Sequence, residues 1–325
     1  MKRSHPGPAA DFRPRWLSGS LGRAAADHPV VVLTGARQVG KATLLEKAEP
    51  TRHWKRVTFD DPETLGRGQR DPGSLWAGAD RVVLAEVQRL PAVLSAVRKA
   101  LDSHPGRMRF VLSASANLPL LCRFCERLGG RAAHLNLLPM ATREILRRPP
   151  PDCLAEMLSG RFPREQRSGG SLDPFAAISR GFMPRLLALP TAAGRSRWWE
   201  GYDAAFLESE LRDLSRQERP AGLRAVMRAL ARRAGQADGL ARAARDCQLS
   251  RPALLRCLGL LETACLVDRL PPFAGGRSGR EGRDPVPLWA DPALAAHLAG
   301  LHDEASLKGA AQGAGLFANL VFHHL

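Results

Sequence analysis

Residues 35–43 read GARQVGKAT and directly follow the apolar run VVVLT. The spacing G-x-x-x-x-G-K is that of a phosphate-binding loop. Glycines at both ends let the backbone curl so that successive N–H groups converge on an anion, and the N-terminus of the next helix adds partial positive charge. Gly35, Ala36, Arg37, Gln38, Val39, Gly40 and Lys41 would form this cradle, running on into Ala42 and Thr43, with the Lys41 ammonium at the outer phosphates of ATP or ADP. The position after the lysine ordinarily carries a hydroxyl that helps hold magnesium; here it is Ala42. Thr43 lies one residue further on, about 100° around a helix, and is expected to face away from such an ion.

Two further stretches complete the candidate chemistry. RVVLAEVQR (81–89) is an apolar strand ending in Ala85-Glu86, where an Asp-Glu pair would steer magnesium and activate water. Glu86 remains as the candidate general base, a surface carboxylate after a strand being the alternative, and Ala85 offers no ligand. VLSASANLP (111–119) places Ser113, Ser115 and Asn117 at the end of another strand, where a polar group could sense a terminal phosphate; ordinary turn chemistry explains them equally well. With both magnesium anchors replaced by alanine, nucleotide binding is expected to survive better than hydrolysis, with magnesium weakly held or absent. No metal-binding residues are assigned. The lone C-x-x-C of Cys122 and Cys125 lacks the further ligands that zinc needs.

The elements that must position these residues follow from the pattern. PVVVLT (29–34), RVTFDDP (56–62), RVVLAE (81–86), RFVLSAS (109–115) and AHLNLLP (133–139) read as buried strands, with helical stretches between them. Such alternation predicts an α/β domain over 29–148 built on a parallel five-stranded sheet. A lead-in helix occupies part of 1–28. RRPPPD (147–152) opens a linker and loop over 149–195. A helical region follows over 196–300, in which 238–273 reads as helix, turn, helix and strand, the outline of a winged helix-turn-helix. The helix opening at Ser250-Arg251-Pro252 and the basic wing residues Arg277, Arg280 and Arg283 could meet DNA, although use as a lid or protein-partner surface is favoured.

Composition narrows the class. The 325 residues carry a net charge of +16, but 42 of the 48 basic residues are arginine, as a GC-rich coding bias would also produce. No apolar run approaches a membrane span, residues 1–16 show no apolar signal core, so no secretion is expected, and the six cysteines lack framework spacing. A cytoplasmic location with no membrane partner is expected; oligomeric state is not legible.

Taken together the motifs resemble the predicted bacterial and archaeal AAA+ ATPases that carry a C-terminal domain of unknown function. LTGARQVGKATLL is similar to that family's P-loop, FDDPETLGRGQRDPGSL to its Asp-Asp-Pro stretch, VVLAEVQRLPAVLSAVRKALD to its Walker B segment and FVLSASANLPLL to its sensor strand. GFMPRLL, RWWEGYDAAFLESELRDL and LWADPALAAHLAG resemble its C-terminal region. The resemblance implies an AAA+ sheet with the P-loop strand central and the FVLSAS strand between it and the VVLAE strand. It also implies a phosphate-facing role for Arg131, in ERLGGRAAHLNLLPM, at this site or a neighbouring subunit's. Ala42 and Ala85 depart from the pattern. The family chain usually continues past the equivalent of Leu325, so a shortened C-terminal segment over 301–325 is expected. A nucleotide switch with impaired hydrolysis, an ATPase with unusual magnesium coordination, and a DNA- or partner-binding winged-helix protein with a scaffold P-loop domain all stay open, as does a decayed remnant.

Overall fold

The structure is a computed structural model and describes residues 12–115, 118–151, 153–161, 173–205, 220–272 and 284–324. The chain enters through α1 (Leu17–Asp27), whose buried Leu21 and Ala25 lie one turn apart on a single stripe. The helix ends where Arg109 donates to the carbonyls of Ala25 and Ala26, at 2.9 Å each. A cation at that end also complements the helix dipole.

Then follow β1 (Val30–Thr34), α2 (Lys41–Lys47), β2 (Lys55–Thr58), α3 (Pro62–Arg70), β3 (Arg81–Ala85), α4 (Val93–Ser103), β4 (Arg109–Ser113), α5 (Leu118–Arg127) and β5 (Ala132–Asn136). The strands form one sheet in the order β2-β3-β4-β1-β5, and every neighbouring pair is parallel. As the resemblance implies, β4 separates β1 from β3. The middle position, however, belongs to β4; β1 is interior but one place nearer the β5 edge. Strand side chains alternate between faces. Val30 and Val32 pack with Phe110 and Leu112 beside α4 and α5, whereas Val31 and Leu33 share a core with α1, α2 and helices from the second half of the chain. Burial on both faces is why these strands read as unbroken apolar runs.

The second half comprises α6 (Thr142–Ile145), α7 (Cys153–Leu158), α8 (Pro174–Arg180), α9 (Ala192–Ala205), α10 (Pro220–Ala231), α11 (Gly239–Asp246), α12 (Arg251–Thr263), the antiparallel pair β6 (Val267–Leu270) and β7 (Val286–Trp289), α13 (Pro292–Leu298), α14 (Glu304–Gly309) and α15 (Gly313–His324). The stretch 149–195, expected to be linker and loop, contains α8 and a 3-10 turn over Pro184–Ala188, and Ile178, Phe182, Met183 and Leu186 are buried in the core. A single carboxylate explains the order there. Asp291 accepts the N–H groups of Phe182 at 3.0 Å, Met183 at 3.1 Å and Ala293 at 2.9 Å, while full burial pushes its pKa up to about 6. Gly181 must be glycine here: its φ is +79° and an added Cβ would stand 2.5 Å from the Leu186 side chain. Arg277, Arg280 and Arg283 lie outside the described residues. No helix among the described residues is long and apolar enough to cross a membrane.

The C-terminal helix α15 is bound to the rest of the fold. Asn319 exchanges two hydrogen bonds of 2.7 Å with the Trp289 backbone, standing in for a strand partner at the end of β7. His323, buried against the Phe182 ring, bonds through Nε2 to the Met140 carbonyl at 3.2 Å. His324 Nε2 accepts the Thr142 N–H at 3.1 Å.

Burial drives the His323 pKa down to about 4, with the neighbouring His324 adding to the effect. The unfolded chain binds this proton below its ordinary value of 6.5, so the stabilisation is full above that pH and is lost as pH falls towards 4. Asp291, with a raised pKa, acts in the opposite direction between 3.8 and about 6, so the informative quantity is a difference between variants. Denaturant unfolding of wild type and His323→Phe is expected to converge on acidification across this interval. The gap should shrink by about 3 kcal/mol, and a gap constant with pH would show that His323 is not buried neutral.

Candidate nucleotide site

The loop after β1 has the backbone that its glycines predict. Gly35 has φ +147°, and a Cβ there would sit 2.4 Å from the Leu137 carbonyl oxygen. Gln38 and Gly40 also have positive φ, at 61° and 104°. Gln38 is not a glycine, so its left-handed geometry carries strain that the surroundings must hold. The buried Lys41 folds back over the loop, its ammonium donating to the carbonyls of Gly35 at 2.8 Å and Ala36 at 2.9 Å. Ala42 and Thr43 are exposed on the first turn of α2.

The sheet brings the second element to the same edge. Ala85 pairs with Ser113 and Ser113 with Leu33, so Glu86, Ser115 and Gly35 leave neighbouring strands together. Glu86 is left-handed, with φ 58°. Ser115, itself buried, donates its hydroxyl to Glu86 Oε1 at 3.1 Å, and the Gln88 amide donates to Oε2 at 2.7 Å. The two predicted residues therefore meet, and Gln88 joins them unforeseen. Its other amide atom, Oε1, is buried without a hydrogen-bond partner. Ser113 is buried within β4, and Asn117 lies outside the described residues.

Arg131 does not join this group. It immediately precedes β5, whose first residue Ala132 pairs with Val30 at the start of β1, so it lies at the opposite end of the sheet from the loop. There it pairs with the half-exposed Asp102 at 2.8 Å. Position in the Gly-Arg turn suggested a role that the parallel register removes within one chain.

Residues that the sequence reading passed over hold the loop from outside. Arg15, buried in the lead-in segment, donates to the Val39 carbonyl at 3.0 Å, to the Leu138 carbonyl, and to Glu144 at 3.2 Å. Burial lowers its pKa while Glu144 opposes that shift. Glu144 also accepts the Trp16 N–H at 2.6 Å and the Ala141 N–H at 3.0 Å. From the other half of the chain, the Tyr202 hydroxyl donates to the Arg37 carbonyl at 3.3 Å, and Pro184 lies beside Gly40. Tyr202 is packed against Trp198 and Trp199 on α9.

A nucleotide's phosphates fit this loop: the positive-φ positions and the glycine at 35 are what a backbone cradle needs, and an ammonium stands at it. Ala42 and Ala85 offer only methyl groups at the two positions that usually anchor magnesium. Among the described residues no three His, Cys, Asp or Glu side chains are grouped to hold a metal ion.

Residues 27–146 match the family model of the AAA domain. Behind the AAA domain, residues 173–305 match a domain of unknown function. Similar curated proteins include the uncharacterized proteins Rv2008c of Mycobacterium tuberculosis and Mb2031c of Mycobacterium bovis, each 27% identical over 299 residues, with 90% of this chain aligned. The chain spans 61% of the length of those relatives. Among solved structures, the Walker-type ATPase PABY2304 of Pyrococcus abyssi superposes with a TM-score of 0.51 at 16% identity, over 89% of this chain and 99% of that one. At that identity the likeness is one of fold.

The placement of Arg131 carries a direct expectation. Arg131→Ala should leave ADP affinity within about twofold and cost under ~1 kcal/mol in stability, since its partner is an exposed carboxylate. Calorimetric titration and thermal unfolding of the variant check this, and a lost ADP site would put Arg131 at a nucleotide after all.

Proposed function

We propose that this protein is a nucleotide-binding AAA-domain switch that holds ATP or ADP through loop backbone and Lys41 and hydrolyses it poorly. The observation that carries the reading is an intact cradle beside two missing metal anchors. Gly35, Gln38 and Gly40 have the backbone of a phosphate loop, whereas Ala42 and Ala85 lack donors. Binding draws on N–H groups and one ammonium, all present. Fast phosphoryl transfer also needs charge neutralised as the bond breaks, which falls largely to the metal. Glu86, held by Ser115 and Gln88, is the group that would orient or deprotonate water. For Arg131 the remaining route to a nucleotide is the site of a neighbouring copy.

We further read α11, α12, β6 and β7 as a winged helix that meets a protein partner or acts as a lid rather than reading DNA. Several of its basic side chains are already engaged: Arg251 with Asp284, Arg269 with Glu262 and Arg242 with Asp238. Charges neutralised within the fold release fewer counterions from a nucleic acid.

Lys41→Ala should weaken ADP binding by about tenfold or more, because a charge-assisted contact to phosphate is lost. Restoring both anchors, Ala42→Thr with Ala85→Asp, should raise ATP turnover by more than the product of the two single changes, since both serve one ion. Steady-state phosphate release checks this. Independent, additive effects would mean that the two positions do not share a metal.

A further inference from the structure

We infer that Arg15 and Tyr202 are positioning residues of the nucleotide site, which set the direction of the loop's phosphate-facing N–H groups by holding the carbonyls behind them. The inference rests on the proposal that this loop binds phosphate and adds residues from outside the loop to it.

The argument is one of peptide geometry. In a trans peptide the C=O of one residue and the N–H of the next point in opposite directions. Tyr202 draws the Arg37 carbonyl outward, at 3.3 Å, so the N–H of Gln38 turns inward. Arg15 draws the Val39 carbonyl outward, at 3.0 Å, so the N–H of Gly40 turns inward as well. Both held carbonyls adjoin residues of positive φ, Gln38 at 61° and Gly40 at 104°, where the chain has little intrinsic reason to stay. Packing supports the same outward side: a Cβ built on Gly40 would lie 3.6 Å from Pro184 and 3.8 Å from the Arg15 guanidinium.

The two anchors have separate origins. Arg15 precedes the sheet and is fixed by Glu144, just beyond β5. Tyr202 lies on α9, inside the stretch matched by the domain of unknown function. Phosphate affinity in the AAA domain thus depends on a side chain of the second domain, which makes the loop sensitive to how α9 sits.

The test uses the full-length chain, with ADP and inorganic pyrophosphate as calorimetric probes. Pyrophosphate engages the cradle alone. Tyr202→Phe keeps the ring and its stacking on Trp198 and removes one hydroxyl. Its affinity for both probes should fall by about three- to tenfold, while its ligand-free melting midpoint stays within about 2 °C of wild type. Arg15→Lys keeps the charge but cannot span Val39 and Glu144 together; it should lose at least as much affinity, measured at a temperature where circular dichroism shows it folded. Unchanged affinities in both variants would overturn the inference and leave the nucleotide reading standing. Weakening accompanied by a large fall in the Tyr202→Phe midpoint would mark a packing effect and count against it. If wild type binds neither probe, the nucleotide reading fails and the inference with it.

Discussion

Arg15 carries a full positive charge into a place with almost no water, and three parts of the chain are organised around it. Its guanidinium bonds to Glu144 beyond β5, to the Val39 carbonyl in the phosphate loop and to the Leu138 carbonyl at the end of the sheet. Glu144 in turn takes two backbone N–H groups, from Trp16 and Ala141. A buried ion pair contributes little over an apolar substitute, but removing one partner strands the other charge at a cost of about 3–5 kcal/mol. The pair therefore acts as a constraint. The lead-in segment, the loop and the residues after β5 must keep their mutual positions or leave a charge unanswered.

A second buried carboxylate does similar work behind the same loop. Asp291 fixes the turn at Phe182 and Met183, and the next residue, Pro184, lies against Gly40. Met140 donates its N–H to the Phe182 carbonyl at 2.9 Å, and the Met140 carbonyl receives His323 from α15. Segments far apart in the chain thus converge behind the phosphate loop. The second half is joined to the AAA sheet through one apolar core that contains Leu33, Trp199 and Leu230 together.

Local features were readable from the sequence. Gly35, Gly40 and Lys41 announce themselves by spacing, and the apolar runs around them mark buried parallel strands. The meeting of Glu86 with Ser115 followed from both standing at strand ends. What stayed hidden depends on partners distant in sequence. Nothing near Arg15 distinguishes it from 41 other arginines, and its value lies in a glutamate 129 residues away. Tyr202, the chain's one tyrosine, reaches across 165 residues to the Arg37 carbonyl. Arg131 differs in the other direction, since only its same-chain role is removed. Its surroundings suggested a phosphate, but a residue preceding a parallel strand stands at the end of the sheet away from the loop. Order within 174–189 was masked by proline and glycine, which read as linker although Asp291, more than a hundred residues on, holds that turn.

The proposed function depends on a phosphate cradle that would bind nucleotide without a protein-held metal. Titrating purified protein with ADP, once in EDTA and once in excess magnesium, tests this most directly. The account predicts clear binding in both, with dissociation constants within about threefold of each other, because the ion has only phosphate and water to hold it. Binding that appears only when magnesium is present would contradict it, and would require a metal ligand other than the residues at 42 and 85.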